Sequence, residues 1–171
     1  DTELVHALCR VNALTDVEEF IITPGHFADL EDVGDRCFGV ELYVAAKMMF
    51  RAVENWPKLA HALVMLKEFK EAVHIAKKAK SIPTWRIVCF ACVDHHEFLL
   101  ASTCALRLLV EEAEMAECIE YYEERGHFQE IMDVLELALN SERAHAAMFT
   151  EMADLLSKYR EERMLNFCRM W

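Results

Sequence analysis

The chain has 171 residues, 54% of them hydrophobic, and a formal net charge of −12 from 30 acidic and 18 basic residues. This charge excludes the generally basic surface that binds nucleic acid. No uncharged apolar stretch approaches the roughly 18 residues of a membrane-spanning helix, so we expect no direct membrane insertion. With 4 glycines the chain has no phosphate-binding loop, and it lacks common nucleophile and zinc-protease motifs.

Proline, glycine and capping residues predict helix boundaries in chain order. Thr23-Pro24-Gly25 ends the first helical pair, while Asn55-Trp56-Pro57 and Ser81-Ile82-Pro83 place proline in the first turn of new helices. Arg125-Gly126 predicts a helix end with glycine in the left-handed conformation, and Asn140-Ser141-Glu142 predicts an N-cap. Breaks about every 14 residues predict about twelve helices of about 9 to 14 residues.

An apolar register repeats along these helices. Six reference positions, numbered 0, stand about 26 to 31 residues apart: Val17, Tyr43, Phe69, Phe98, Phe128 and Tyr159. Apolar or small residues recur at −6 (Val11, Cys37, Leu63, Cys92, Tyr122, Ala153), at −10 (Ala7, Val33, Leu59, Val88, Cys118, Phe149) and at +3 (Phe20, Ala46, Ala72, Ala101, Ile131). This spacing is helical, so each unit is predicted to be a helix, a turn and a second helix.

A repeat of this length in a helical pattern predicts an all-α fold, an α-solenoid of about six short hairpins. We expect residues 1–171 to form one continuous solenoid segment. The chain lacks an initiator methionine and ends within the apolar pattern at 167–171, so we expect it to be a piece of a longer protein. Such arrays offer long surfaces to other chains, and we expect no enzyme activity and no cofactor.

Two metal sites are alternatives. Cys89 and Cys92, followed by His95 and His96, have the residue types of a zinc site, although Cys92 also occupies a predicted core position. Glu-x-x-His recurs at Glu3, Glu71 and Glu142, as in the di-iron sites of ferritin-like bundles. The 7 cysteines, scattered in apolar surroundings, favour buried reduced thiols over a disulfide framework.

A basic stretch within this acidic chain is the candidate partner-binding surface. Its residues are Lys67, Lys70, Lys77, Lys78, Lys80, Trp85 and Arg86. The stretch is either a solvated face or the docking site of an acidic helical partner. Trp56 and Trp85 stand beside prolines at helix starts, as packing anchors or as exposed binding residues. A second charged stretch, the acidic helix from Glu111 to Glu124, is the next candidate.

Several short sequences resemble clathrin heavy chains in one register along the chain. They are Glu18-Glu19-Phe20-Ile21, Gly34-Asp35-Arg36-Cys37, Ala45-Ala46-Lys47, Thr84-Trp85, Val88-Cys89-Phe90-Ala91-Cys92-Val93-Asp94, Tyr121-Tyr122-Glu123, Arg125-Gly126, Glu142-Arg143-Ala144-His145, Met148-Phe149-Thr150-Glu151 and Ser157-Lys158-Tyr159. The resemblance is to the proximal leg. His95-His96 and Ile82-Pro83 depart from the family pattern, which indicates a divergent or paralogous member.

The resemblance implies a right-handed rod of helix hairpins without catalysis. It implies a structural role in the coats of vesicles, in intracellular protein transport, with other heavy-chain legs and clathrin light chains as partners. It also implies a cytoplasmic location, peripheral on coated pits and coated vesicles. A different helical-repeat interaction or tethering module in membrane traffic remains the main alternative.

Overall fold

The fold was described from a computed structural model, which describes residues 1–23, 25 and 27–170. In this part of the chain twelve α-helices and no strand are present. They are α1 (Thr2–Arg10), α2 (Leu14–Ile22), α3 (Leu30–Gly39), α4 (Tyr43–Ala52), α5 (Trp56–Met65), α6 (Phe69–Ala79), α7 (Ile82–Asp94), α8 (Phe98–Leu109), α9 (Glu112–Glu124), α10 (Phe128–Leu139), α11 (Ala146–Tyr159) and α12 (Glu161–Met170). The all-α prediction is confirmed.

The chain forms two compact units, Asp1–Val88 and Cys89–Trp171, and the boundary falls within α7. In the first unit α1 packs on α2, α3 on α4 and α5 on α6, while α1 also packs on α3. In the second unit α9 packs on α10, α11 on α12, and α8 on α10. Each unit is therefore built from consecutive helix pairs that pack on their neighbours, the architecture of an α-solenoid.

One type of turn joins the helices within four successive pairs. The residue at position −2 is left-handed, with positive φ at Glu41, Lys67, His96 and Gly126. The amide of the following residue donates to the carbonyl at position −6, as from Leu42 to Cys37 at 2.9 Å and from Glu97 to Cys92 at 2.8 Å. These are Schellman motifs, which satisfy the last carbonyls of the first helix. The left-handed Gly126 predicted from the sequence is confirmed.

The core follows the predicted register closely in the second to fifth units. Position 0 is the first residue of α4, α6, α8 and α10. The +3 residues Ala46, Ala72, Ala101 and Ile131 are fully buried. Close packing also needs Gly34 in α3, where a Cβ atom would lie 2.6 Å from the Phe50 ring of α4.

The apolar register predicted for the first unit is wrong. Val11 is 72% exposed because α1 ends at Arg10, and Val5 and Cys9 are the buried residues of α1. Leu14 begins α2 and is the true position 0, so Val17, fully buried, is the +3 residue. Asn12 carries the left-handed conformation at −2 in this corrected register. Two apolar residues three apart on one helix face produced the ambiguity.

The position predicted for the second helix of the sixth unit is also wrong. Tyr159 is the last residue of α11 and is 37% exposed, because α11 extends over 14 residues before the chain turns. The predicted N-cap at Asn140 is wrong as well: Asn140 is the C-cap of α10, and α11 begins only at Ala146. The Ser141 hydroxyl instead donates to the Ala138 carbonyl at 2.6 Å and so closes the end of α10.

The helix start predicted at Pro57 is confirmed, because Pro57 lies in the first turn of α5. Pro24 and Trp171, to which the sequence also assigned chain-turning and terminal roles, lie outside the described residues. Six of the cysteines are buried and Cys168 is exposed, so the prediction of buried thiols is wrong only at Cys168.

Candidate partner-binding surface

The predicted partner-binding residues lie on α6 and its two flanking turns, and at the start of α7. Lys67 precedes α6, Lys80 is its C-cap, and three lysines lie within the helix. All five lysines are exposed. We call the following set the lysine face: Lys67, Lys70, Lys77, Lys78 and Lys80.

The amphipathic pattern of α6 determines which side chains reach solvent. Its apolar side is buried, through Phe69, Ala72, Val73, Ile75 and Ala76. At 3.6 residues per turn, Lys70, His74, Lys77 and Lys78 fall within an arc of about 100° on the opposite side. The helix ends where Lys80 takes a left-handed φ of 49°. The sequence therefore places one histidine and three lysines side by side on a single solvent-facing helix surface.

The acidic residues next to α6 are paired with α4. Lys47 forms ion pairs with Glu68 and, at 3.5 Å, with Glu71, and Arg51 also pairs with Glu71 at 2.5 Å. The hydrogen bond from Lys47 lowers the pKa of the Glu68 carboxyl. Because α4 supplies these counter-charges, Glu68 and Glu71 do not neutralise the lysine face.

The helix dipole explains why lysines occur at the C-terminal end of α6, but not why they occur at its N-terminal end. Lys77 and Lys78 lie in the last turn of α6, where a cation is favoured by the helix dipole. Lys67 and Lys70 lie before and within the first turn, where a cation is disfavoured. Within the described part of the chain neither residue forms an ion pair. The positive charge at this end therefore has no structural role that we can identify in the fold.

Trp85 is a packing residue and does not belong to the surface. Its side chain is 6% exposed, and the neighbouring Thr84 is also buried. Arg86 is half-buried and is already engaged within the chain. The prediction that the Trp85 ring is offered to a partner is therefore corrected, because this side of α7 is packed in the core.

The aromatic residue that lies beside the lysine face is Trp56. Trp56 is half-buried, and the Lys78 ammonium lies 5.0 Å from the centre of its ring. The two residues meet because α5 and α6 pack against each other across a short turn, so the start of α5 lies beside the end of α6. In the sequence Trp56 is marked only by its place next to Pro57. Its position beside the lysines becomes visible only when α5 and α6 fold into a hairpin.

The residues of the zinc alternative are engaged separately. Cys89 and Cys92 are fully buried, and the Cys89 thiol donates to the Ala101 carbonyl at 3.6 Å. Burial raises the pKa of the Cys92 thiol to about 12, which disfavours the thiolate that zinc requires. His95 Nδ1 lies 3.0 Å from the Ala91 carbonyl oxygen. Among the residues described, no group of three or more His, Cys, Asp or Glu side chains is arranged for metal binding.

The Glu-x-x-His pairs also make other contacts. Glu3 pairs with Arg36 at 2.7 Å, and Glu71 pairs with the bases of α4. His145 Nε2 lies 3.1 Å from the Leu109 carbonyl oxygen, while the buried Nδ1 atom of His145 has no hydrogen-bond partner among the described residues. These contacts do not bring the pairs together as a di-iron site would require.

The acidic helix α9 is partly neutralised by its own unit. Glu111 pairs with Arg143 at 3.9 Å, and Glu123 pairs with Lys158 at 3.7 Å. Glu123 also accepts a hydrogen bond from the Tyr159 hydroxyl at 3.0 Å. Glu123 thereby holds the end of α11 against α9, which is a structural role, and α6 therefore remains the better candidate surface.

None of the helices in the described part of the chain combines the length and the apolar character that crossing a bilayer demands.

Comparison with known proteins identifies relatives of the whole chain. The model of the Clathrin family, described as the region in clathrin and VPS, matches residues 1–100 and 106–171. A clathrin heavy chain of Drosophila melanogaster and a probable clathrin heavy chain 1 of Caenorhabditis elegans are each 48% identical over 164 residues, which is 96% of the chain. Clathrin heavy chain 2 of Oryza sativa subsp. japonica is 44% identical over 171 residues, the full chain.

The chain spans only 10% of the length of each of these curated relatives. The similarity nevertheless covers almost every residue of the chain, including helices of both units. The chain therefore belongs to the Clathrin family, the region in clathrin and VPS.

Proposed function

We propose that the chain is a structural leg segment of a clathrin coat. Its helix pairs would carry load between more distant parts of a heavy chain, and it would pack against other heavy-chain legs in the lattice. The support comes from the family match over both units and from relatives named as clathrin heavy chains. On this proposal the chain has no catalytic role and lies in the cytoplasm, peripherally on coated pits and coated vesicles.

We further propose that the lysine face binds a clathrin light chain through an acidic helix. The observation that carries this proposal is the positive charge of Lys67 and Lys70, which the helix dipole disfavours and no ion pair in the described residues neutralises. An acidic helix laid along α6 would supply the missing counter-charges. Exposed charges at such an interface mainly accelerate association and set register, and contribute less to affinity.

The test is the association kinetics of a purified light chain with the chain and with a charge-reversed variant, K67E/K70E/K77E. We expect the association rate to fall about tenfold or more at low salt, and its salt dependence to become shallower. The matched control is R10E/R160E/R169E, which changes the net charge equally at exposed positions in other helices and turns. Equal slowing in both variants would mean that overall charge, and not the lysine face, governs association. An unchanged rate in K67E/K70E/K77E would exclude this face.

A second candidate function is a tethering or sorting module of the VPS type. It is favoured by the family description, which names VPS together with clathrin. The same light-chain experiment separates the two functions, because a VPS-type module has no reason to bind a clathrin light chain. Wild-type chain that fails to bind light chain at all would favour the second function.

A further inference from the structure

Trp56 and Lys78 form a cation–aromatic pair at one end of the lysine face. The Lys78 ammonium lies 5.0 Å from the centre of the indole ring, and the ring remains partly open to solvent. Such a pair at an exposed site contributes little to the stability of the fold, but it favours this position of the ring. A large aromatic side chain held in place and partly exposed is the kind of residue that dominates binding energy at interfaces.

The position of Trp56 along α6 follows from the hairpin. Lys70 and Lys77 are separated by about 10 Å along the helix axis, at 1.5 Å per residue. Lys78 follows on the next position, and Trp56 lies against it at the start of α5. A helix that runs along the lysine face would therefore meet charge along two turns and an aromatic surface at the end.

We infer that Trp56, held by Lys78, is the apolar anchor for one end of an acidic amphipathic helix that lies along α6. This inference rests on the proposed light-chain function and adds the residue that gives the interface its affinity. The bound helix would present carboxylates at i, i+3 or i+4, and i+7 toward Lys70, His74 and Lys77. About one turn further on, it would present a large apolar side chain to the indole ring.

Charge complementarity selects this occupant. Four exposed lysines without an ion pair in the described residues (Lys67, Lys70, Lys77 and Lys80) attract an anionic partner, and the partly exposed indole adds a preference for one with an apolar patch. An acidic amphipathic helix has both properties on one face. We therefore expect the lysines to determine mainly the association rate of the partner, and Trp56 to determine mainly its dissociation rate.

The first test compares W56A and W56F for dissociation of the light chain. We expect W56A to raise the dissociation rate about tenfold or more, and to leave the association rate within about twofold. W56F keeps a ring over which Lys78 lies and should stay within about threefold of wild type. Circular dichroism and the thermal midpoint of each variant check that α5 and α6 remain folded.

The second test leaves Trp56 in place, so that it does not depend on the folding of W56A. In a W171F variant, Trp85 is buried and Trp56 is the more accessible of the remaining two indoles. Acrylamide quenching of this variant should fall by about half or more when a light chain with its tryptophans replaced by phenylalanine is bound. Unchanged quenching at saturating light chain would overturn the inference.

These outcomes separate the inference from the function on which it rests. Light chain that binds, with slower association to K67E/K70E/K77E but normal dissociation from W56A and no protection of Trp56, would refute only the anchor. Light chain that does not bind wild type would refute the light-chain proposal itself, whatever Trp56 does. Anionic phosphatidylserine vesicles that protect Trp56 as strongly as the light chain would show a membrane surface as the occupant and overturn the inference.

Discussion

Phe90 of α7 and Tyr121 of α9 stack almost face to face, with ring centres 3.7 Å apart and planes 9° from parallel. The Tyr121 hydroxyl donates to Asp94 at 2.8 Å, and the Arg125 guanidinium lies 3.4 Å from the centre of the Tyr121 ring. A second stack, again between a phenylalanine and a tyrosine 31 residues apart, joins Phe128 of α10 and Tyr159 of α11, with ring centres 3.9 Å apart. Aromatic stacks of this type link helices of successive pairs within the second unit.

We expect Y121A to lower the unfolding free energy of the second unit by about 1–3 kcal/mol, since both the stack and the Asp94 hydrogen bond are lost. Y121F should cost only about 0.5–1.5 kcal/mol, because it keeps the ring. Urea unfolding followed by circular dichroism measures both. In a double-mutant cycle with F90A we expect a coupling of about 0.5–1.5 kcal/mol. A coupling of zero would mean that the stack does not stabilise the unit.

The close approach of α3 and α4 depends on Gly34. An added Cβ would lie 2.6 Å from the Phe50 ring and 3.1 Å from Met49, so G34A should destabilise the first unit by about 1–3 kcal/mol. The matched control is G39A in the same helix, where nothing lies within 4 Å of the new atom. Because alanine favours helix over glycine, G39A should be neutral or stabilising by up to about 1 kcal/mol. Equal effects of the two substitutions in thermal unfolding would contradict this packing argument.

The left-handed turns predict opposite effects of glycine and alanine. Glu41 and Gly126 occupy the same position of the Schellman turn, with φ of 63° and 77°. We expect E41G to raise stability by up to about 1 kcal/mol and G126A to lower it by about 1 kcal/mol. Thermal midpoints of the two variants measure the effect. A stabilised G126A would show that the turn is not left-handed in solution.

The ion pair between Lys47 and Glu68 predicts part of the acid sensitivity. The hydrogen bond to Lys47 lowers the pKa of Glu68 below its ordinary value of 4.5 in the folded protein. The pair therefore stabilises the fold fully above about pH 4.5, and this contribution disappears as the pH falls through the lowered pKa. In K47M the unfolding free energy should therefore fall less steeply between about pH 4.5 and lower pH than in wild type. The difference should be less than about 1 kcal/mol, since the pair is partly exposed. A K47M curve parallel to wild type between pH 5 and about pH 3 would contradict the prediction, with R10M as the control.

Burial of Trp85 predicts a loss of stability and not of binding. We expect W85A to lower the unfolding free energy of the first unit by about 3–5 kcal/mol, because a large side chain leaves a cavity in the core. W85F should lose less. Light-chain dissociation from folded W85F should match wild type, in contrast to W56A. A faster dissociation from W85F without a change in stability would place Trp85 in the interface after all.

The repeating helix pairs could be predicted from the sequence because position 0 and position +3 are apolar in every central unit. The first unit was not predicted correctly because both Leu14 and Val17 fit the helical stripe, so either could be taken as position 0. The helix bounds of the sixth unit were not predicted correctly because α11 is longer than the other helices. Local apolar spacing does not record how many residues a helix keeps before it turns.

The candidate surface could be predicted only in part. Clustered lysines identified α6, since charge is visible in the sequence. Which aromatic residue accompanies them depends on the hairpin, because Trp56 and Lys78 meet only when α5 folds back on α6. Trp85 is much nearer to the lysines along the chain, yet its helix turns it into the core. Sequence proximity therefore selected a tryptophan that is buried.

The most direct measurement of the structural role uses a chimaeric heavy chain, in which this chain replaces the matching stretch of the Drosophila melanogaster relative. Purified chimaera and parent would be compared for assembly into closed coats by electron microscopy. We expect the chimaera to fold and to assemble closed coats as the parent does. A chimaera that folds but forms no coats under conditions where the parent assembles would contradict it.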